Sequence, residues 1–313
     1  MKLDSKTTAF VFPGQGSQTV GMGRELAIQY PIAKQTFEEA DGILGFDLSK
    51  TMWEGPVDDL NDTINTQPAL FIHSMAAFRV FSQIYPIFKP AAVAGHSLGE
   101  LSALTAAGAL TFDAGLRLVR KRGELMKQAG EKNPGSMAAV LNLDIPVLEN
   151  VCVEASTNGE PVQVANDNCP GQVVISGSKA AVERAMAGAK AAGAKRAIPL
   201  AVSIAAHSKL MASIQGEWNE AVGGAEIKDP SIEIIGNVNA GSMRIADELC
   251  TDIQSQMQSR VRWTETIQLL TKHGVTTFVE VGPGNVLLGL IRRIEPSTSG
   301  FSLGNPVDFE ALV

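Results

Sequence analysis

At three places in this chain an apolar run enters a glycine-bearing turn and leaves it as a helical pattern: TAFVFPGQGSQ at 8–18, AAVAGHSLGE at 91–100 and TTFVEVGPGN at 276–285. Recurrence of that junction predicts βα units around a mostly parallel sheet, an α/β fold. It also places backbone N–H groups at the carboxyl edge of the sheet, where α/β proteins build their sites. A chain of 313 residues has the length for one large domain, or for one carrying a smaller insertion.

The stretch 133–203 follows another rhythm. After the loop GEKNPG at 130–135 come GSMAAVLNL, a helical PVLENVCVEAS at 146–156, strand-like VQVAN at 162–166 and QVVISG at 172–177, a helical KAAVERAMAGAKAAG at 179–193 and a last strand KRAIPLAV at 195–202. The order β-α-β-β-α-β is that of a ferredoxin-like unit. It predicts a small α+β subdomain at 133–203, inserted into a discontinuous core of 1–132 and 204–313.

Composition narrows the function. A formal net charge of -7 argues against nonspecific nucleic-acid binding, which needs a surplus of Lys and Arg. Cys152, Cys169 and Cys250 are odd in number, far apart and outside any CxxC spacing, so neither a disulfide framework nor a zinc site is expected. A cytoplasmic setting follows. The polar start MKLDSKTTAF, and the lack of any apolar stretch near the roughly 20 residues of a bilayer span, predict neither signal peptide nor membrane segment. The glycine loops do not read as phosphate binders: Thr19 stands where a dinucleotide fingerprint has its third glycine, and no loop carries the Lys of a P-loop.

GHSLG at 95–99 lies between a strand-like run and the helical pattern LGELSALTAAG at 98–108. This is the setting of a nucleophile elbow, in which glycines on either side of a strained serine hold its hydroxyl proud of the sheet and aim the next N–H groups at a reacting oxygen. Such a serine needs a base. Of the four histidines, His96 adjoins Ser97 and should point away from its hydroxyl; His73 sits in an apolar helical stretch, as a core residue would; His273 precedes Gly274 at a helix end, where a cap and dipole account for it. His207, just after the last strand of the predicted insert, is left as the candidate.

Six motifs, in order along almost the whole chain, resemble the malonyl-CoA:acyl carrier protein transacylases: FPGQGSQ at 12–18, GHSLGE at 95–100, the Arg-Gly at 122–123, ANDNCPGQVVISG at 165–177, the His of HSKLM at 207–211, and VEVGPGNVLLGL at 279–290. The resemblance implies an α/β-hydrolase-like core with the ferredoxin-like insert. It implies Ser97 as acylated nucleophile, His207 as its base, and Arg122 as the grip on the free carboxylate of malonyl. The backbone carbonyl of Gln256 would steady the histidine, the backbone N–H groups of Gln15 and Leu98 would form the oxyanion hole, and Asn168 would line the cleft near the thiol arm. No cofactor is implied, because the coenzyme A thioester is a substrate. The partners implied are malonyl-CoA and a holo acyl carrier protein, with no nucleic acid and no membrane, acting on a monomer.

Helical spacing alone does not select Arg122. With Thr111 as N-cap, Phe112, Leu116, Val119, Gly123 and Met126 make one apolar stripe, and Arg120 and Arg122 flank it at roughly 80° on either side. The resemblance chooses Arg122, whose planar guanidinium suits a carboxylate. Arg117, Arg120, Lys121 and Lys127, with Lys190, Lys195 and Arg196, are candidates for a basic surface facing an acidic carrier. Two positions depart from the family: Leu101, where an aromatic often stands, and Ala206, where related domains carry Phe or Ser before the histidine. Exclusion of a branched acyl group therefore does not follow. A serine esterase or thioesterase using the same Ser97 and His207, and a noncatalytic carrier-binding module, are the competing readings; a carboxylate grip speaks against the first and an intact Ser-His pair against the second.

Overall fold

The computed structural model describes residues 3–310. Its strands in chain order are β1 (Thr8–Phe12), β2 (Ala92–Gly95), β3 (Gly135–Leu141), β4 (Val162–Cys169), β5 (Gln172–Ser178), β6 (Arg196–Pro199), β7 (Glu233–Ile235), β8 (Ser242–Met243), β9 (Val261–Arg262), β10 (Thr277–Val281) and β11 (Ser299–Leu303). The larger sheet runs β11-β10-β1-β2-β7-β8 and is parallel except where β8 returns against β7. The three junctions seen in the sequence thus supply its three central strands.

Alternation along β1 explains how the sheet is covered on both faces. Phe10 and Phe12 pack into a core with the helices Thr63–Ile84 and Phe112–Lys132, while Ala9 and Val11 face the opposite layer with Trp263, Ile267 and Leu290. The two long helices start on side-chain caps, Asp62 accepting from Ile64 N–H and Thr111 accepting from Ala114 N–H. They meet closely because Gly123 faces the first of them: a Cβ there would lie 2.8 Å from the carbonyl oxygen of Thr63.

The smaller sheet, β6-β3-β5-β4-β9, is antiparallel except at its last pair. Helices Ile145–Ala155 and Lys179–Ala191 cover it through a core of small aliphatics such as Ala138, Val151, Ile175 and Ala185. Its fifth strand, β9, comes from beyond residue 203 and pairs in parallel with β4, so residues 133–203 do not build this sheet alone. Two residues are too short a run to be seen as a strand in sequence. No helix among the described residues is long and apolar enough to cross a membrane.

Candidate active site

Register sets the site. Phe12 of β1 pairs with Gly95 of β2, and Ala94 with Ile235 of β7, so the loops that follow these strands emerge side by side at one sheet edge. Ser97 turns there with φ of +53°, a left-handed conformation that L residues adopt only under constraint. The flanking glycines permit it. A Cβ on Gly95 would sit 1.9 Å from the backbone carbon of Gly99, and one on Gly99 would sit 2.0 Å from the carbonyl oxygen of Phe12. Asn237, two residues beyond β7, clamps the turn: its Oδ1 accepts from the Ser97 N–H at 2.8 Å and its Nδ2 donates to Gly95 O at 2.7 Å.

His207 arrives from the loop after β6, also at positive φ (+57°). Its Nε2 lies 2.7 Å from Ser97 Oγ and its Nδ1 lies 2.9 Å from the Gln256 carbonyl oxygen. A carbonyl only accepts, so Nδ1 carries the proton and Nε2 is free to accept from the serine hydroxyl. Burial first, and then the nearby Arg122 cation, push the His207 pKa down to about 3, against the opposing pull of the Gln256 carbonyl. The imidazole is therefore neutral and in the basic form. Gln163 fixes the segment from behind, donating to the His207 carbonyl at 3.1 Å.

Arg122 is buried, at 2% exposure, whereas Arg120 turns outward to pair with Glu124. The Arg122 guanidinium donates to Gln67 Oε1 at 2.7 Å, to Gln256 Oε1 at 2.9 Å and to Ser97 Oγ at 3.1 Å. All three partners are uncharged. Its Nε–H has no partner, and among the described residues no carboxylate lies within ion-pair distance. Burial lowers its pKa to about 10, with the Glu100 carboxyl group pulling the other way, which still leaves a cation at neutral pH.

Ser97, His207 and Arg122 floor a cavity of about 960 Å³ walled by the loop residues Gln15 and Leu98 and the helical Met126 on one side, and by Met137, Asn168 and Val174 of the smaller sheet on the other. The N–H groups of Gln15 and Leu98 donate to no protein acceptor among the described residues. His96 also faces the cavity, with Nε2 2.8 Å from Asn168 Oδ1 and its ring edge on Trp263, away from the serine hydroxyl. His73 is buried with Nε2 2.8 Å from Gly304 O, and His273 caps the helix Trp263–Lys272; neither approaches Ser97.

The structure thus brings Ser97, His207, Arg122, Gln15, Leu98 and Asn168 to one cavity, with Gln256 behind His207 and Arg122. The proposed basic surface fares differently: Arg117 pairs with Asp113, Arg120 with Glu124, Lys121 with Glu217 and Lys127 with Asp62, so the cationic charge of that helix is largely cancelled. Sequence reasoning missed Gln67, Asn237 and the side chain of Gln256. Asn237 left one signal, a Gly-Asn turn after an Ile-Ile run in SIEIIGNVN at 231–239.

Residues 9–300 match the family model for the acyl transferase domain. The chain is 45% identical over 307 residues to the malonyl CoA-acyl carrier protein transacylase of Haemophilus influenzae, covering 98% of each. It is 44% identical to that of Bacillus subtilis, covering 97% of this chain and 96% of the relative. Among solved structures, an acyl carrier protein S-malonyltransferase from Vibrio cholerae superposes with a TM-score of 0.94 at 43% identity, over 98% of this chain and all of that one (100%). A malonyl-transacylase solved in complex with a type II polyketide acyl carrier protein gives a TM-score of 0.94 at 41% identity, over 97% of this chain and 98% of that chain.

Proposed function

The chain belongs to the acyl transferase family, among the malonyl-CoA:acyl carrier protein transacylases, and we propose that it moves malonyl from coenzyme A to a carrier-protein thiol through an ester on Ser97. The observation that carries this reading is Arg122: a buried cation, one hydrogen bond from the nucleophile, that no carboxylate among the described residues contacts. A buried charge without a contacting counter-ion is costly to the fold and is explained by a ligand that brings one. A malonyl carboxylate does so, and docking it on Arg122 fixes the thioester carbonyl over Ser97 Oγ.

In the first half-reaction Ser97 Oγ attacks the thioester carbonyl while its proton passes to His207 Nε2. The oxyanion is received by the N–H groups of Gln15 and Leu98. On collapse the C–S bond breaks and His207 returns the proton to the departing coenzyme A thiolate. In the second half the carrier's phosphopantetheine thiol gives its proton to His207, attacks the ester, and Ser97 leaves with that proton. Substrate binding also tunes the base: the malonyl carboxylate cancels the Arg122 charge that lowers the His207 pKa, so His207 becomes more basic only when a substrate is in place. A plain esterase has no use for such a cation.

In the same reading, residues 1–132 and 204–313 form an α/β-hydrolase-like catalytic core, and 133–203 a ferredoxin-like subdomain whose Asn168 lines the thiol side of the cleft. The sheet order β6-β3-β5-β4 and the chain order β-α-β-β-α-β support it. Intact-mass measurement after incubation with malonyl-CoA, and again after adding holo acyl carrier protein, tests the reaction. The expected result is a malonyl adduct that is absent from Ser97→Ala and moves to the carrier. An adduct lost to water alone would point to a hydrolase, and no adduct would end the proposal.

A further inference from the structure

Two buried carboxyl groups lie directly behind the site and take no part in the chemistry above. Glu100, on the helix Gly99–Ala106 that follows the elbow, is fully buried, at 0% exposure. Asp252, on the helix Ala246–Gln256, is 4% exposed. Burial and the neighbouring carboxyl group raise the Glu100 pKa, and burial raises that of Asp252. The Asn237 N–H sits between them, 3.2 Å from Glu100 Oε1 and 3.2 Å from Asp252 Oδ2. Val238 N–H reaches Asp252 Oδ1 at 3.2 Å. From one helical turn beyond Asp252, Gln256 Nε2 donates to Glu100 Oε2 and, at 3.0 Å, to Ser97 O. Among the described residues the charged group that faces the pair from another element is Arg122, which is hydrogen-bonded to it through the Gln256 amide.

Two carboxylates in contact without a direct cation cannot both ionise in a buried place. The hydrogen bonds also say where the remaining proton sits. Both Asp252 oxygens accept backbone N–H bonds, and Glu100 Oε2 accepts from Gln256. Glu100 Oε1 has only a share of the divided Asn237 N–H, which leaves it the oxygen best placed to carry a proton toward Asp252. Arg122 donates to Gln256 Oε1 and Gln256 donates to Glu100 Oε2, and a proton on Glu100 Oε1 would extend this directed chain to the Asp252 carboxylate, which shares the Asn237 N–H with it.

We propose that Glu100 and Asp252 are a positioning pair that holds a single shared proton, and that this proton keeps Arg122 free for the substrate carboxylate while locking Gln256, whose carbonyl orients His207. The inference rests on the acyl-transfer reading of Arg122. An ionised Glu100 would compete for the guanidinium as an internal counter-ion and displace the Gln256 bridge. With the proton in place, the Asp252 charge compensates the buried cation across two neutral links without capping it. The amide of Gln256 is then oriented by three bonds at once, which explains why a glutamine stands where the histidine needs only a carbonyl.

Infrared difference spectra in light and heavy water test the proton directly. Wild type at neutral pH should show the carbonyl band of a buried, protonated carboxylic acid, deuterium-sensitive and missing from Glu100→Gln; if that variant loses no such band, the shared proton does not exist. Malonyl transfer kinetics test the positioning. Glu100→Gln repeats the hydrogen-bond pattern and should rescue what Glu100→Ala loses. Asp252→Asn removes the acceptor charge and lets Glu100 ionise, raising KM for malonyl-CoA by about tenfold at neutral pH. That increase should recede as the pH is lowered and Glu100 regains its proton. A KM change equal at every pH, or Glu100→Gln no better than Glu100→Ala, overturns the positioning role. If wild type never forms a malonyl ester, the reading of Arg122 fails while the spectra still answer for the proton.

Discussion

Burial and the Arg122 cation hold His207 as a free base far below the ordinary imidazole value of 6.5, and this has a kinetic consequence. On the acid side, kcat/KM for malonyl transfer, which reports the groups of the free enzyme, should pass through 6.5 without the limb that an ordinary histidine would impose. A limb centred there would show that the imidazole is not shielded as the geometry requires. Replacing Arg122 by Ala removes the second-largest cause, so the His207 pKa should rise and an acid limb should appear at higher pH, measurable with acetyl-CoA. For malonyl-CoA the same substitution should cost about 3 kcal/mol, roughly a hundredfold in kcat/KM, and Lys should not restore it because an ammonium lacks the planar fork. At this scale the sequence reveals residues by their chemistry. Ser97 is marked by its glycines and His207 by the scarcity of histidines. Arg122 and Arg120 are equivalent by helical spacing, and only the packing against the Thr63–Ile84 helix buries one fully and leaves the other half-buried at its edge. Gln67 and Asn237 are neutral amides that no spacing rule distinguishes from surface residues; their work depends on strands and helices distant in sequence meeting at one edge.

The elements matter through their contacts, and Gly123 shows how. Helix Phe112–Lys132 approaches helix Thr63–Ile84 closely enough that a methyl group at 123 would meet backbone, not a flexible side chain, 2.8 Å from Thr63 O. Gly123→Ala should therefore part the helices, at about 1–3 kcal/mol by the usual cost of overpacking. It should also shift the neighbouring Arg122 away from Ser97. Denaturant unfolding should show the lost stability, and KM for malonyl-CoA should rise more than kcat falls; an unchanged KM would mean that Arg122 is placed by its hydrogen bonds and not by the helix. Legibility differs among elements for a related reason. The central strands β1, β2 and β10, and the paired helices and strands of 135–199, announce themselves by long apolar runs and regular alternation. β7, β8 and β9 have two or three residues each and exist because a neighbour offers a free edge. Their sequence carries no period to read, yet β7 delivers Asn237 and β9 joins the smaller sheet to the rest.

Stability of the whole molecule should depend on pH through groups that bind protons differently in the folded and unfolded chain. Glu280, buried at 0% exposure in the sheet, accepts from the N–H groups of Leu287 at 3.1 Å and Leu288 at 2.9 Å at the start of the helix Val286–Ile294. Burial nevertheless pushes its pKa from 4.5 up to about 7. Between those values the folded chain keeps a proton that the unfolded chain has released, so this group lowers the free energy of unfolding as pH rises through the window and adds no further change above it. The buried histidines act in the other direction. His73, held down to about 4, and His207, held down to about 3, stay neutral in the fold but gain a proton below 6.5 when unfolded, so stability falls as pH falls. Glu280→Gln isolates the carboxyl contribution, because the histidines are common to variant and wild type and cancel in the difference. Urea unfolding across the interval should find the variant gaining on wild type as pH rises from 4.5 to about 7, by up to about 3 kcal/mol, with the difference constant above. Loss of the charge-accepting cap adds a fixed offset against the variant without altering the slope. A difference that does not vary with pH would mean that the two backbone N–H groups solvate the Glu280 carboxylate fully, and that the helix start, not burial, sets its charge.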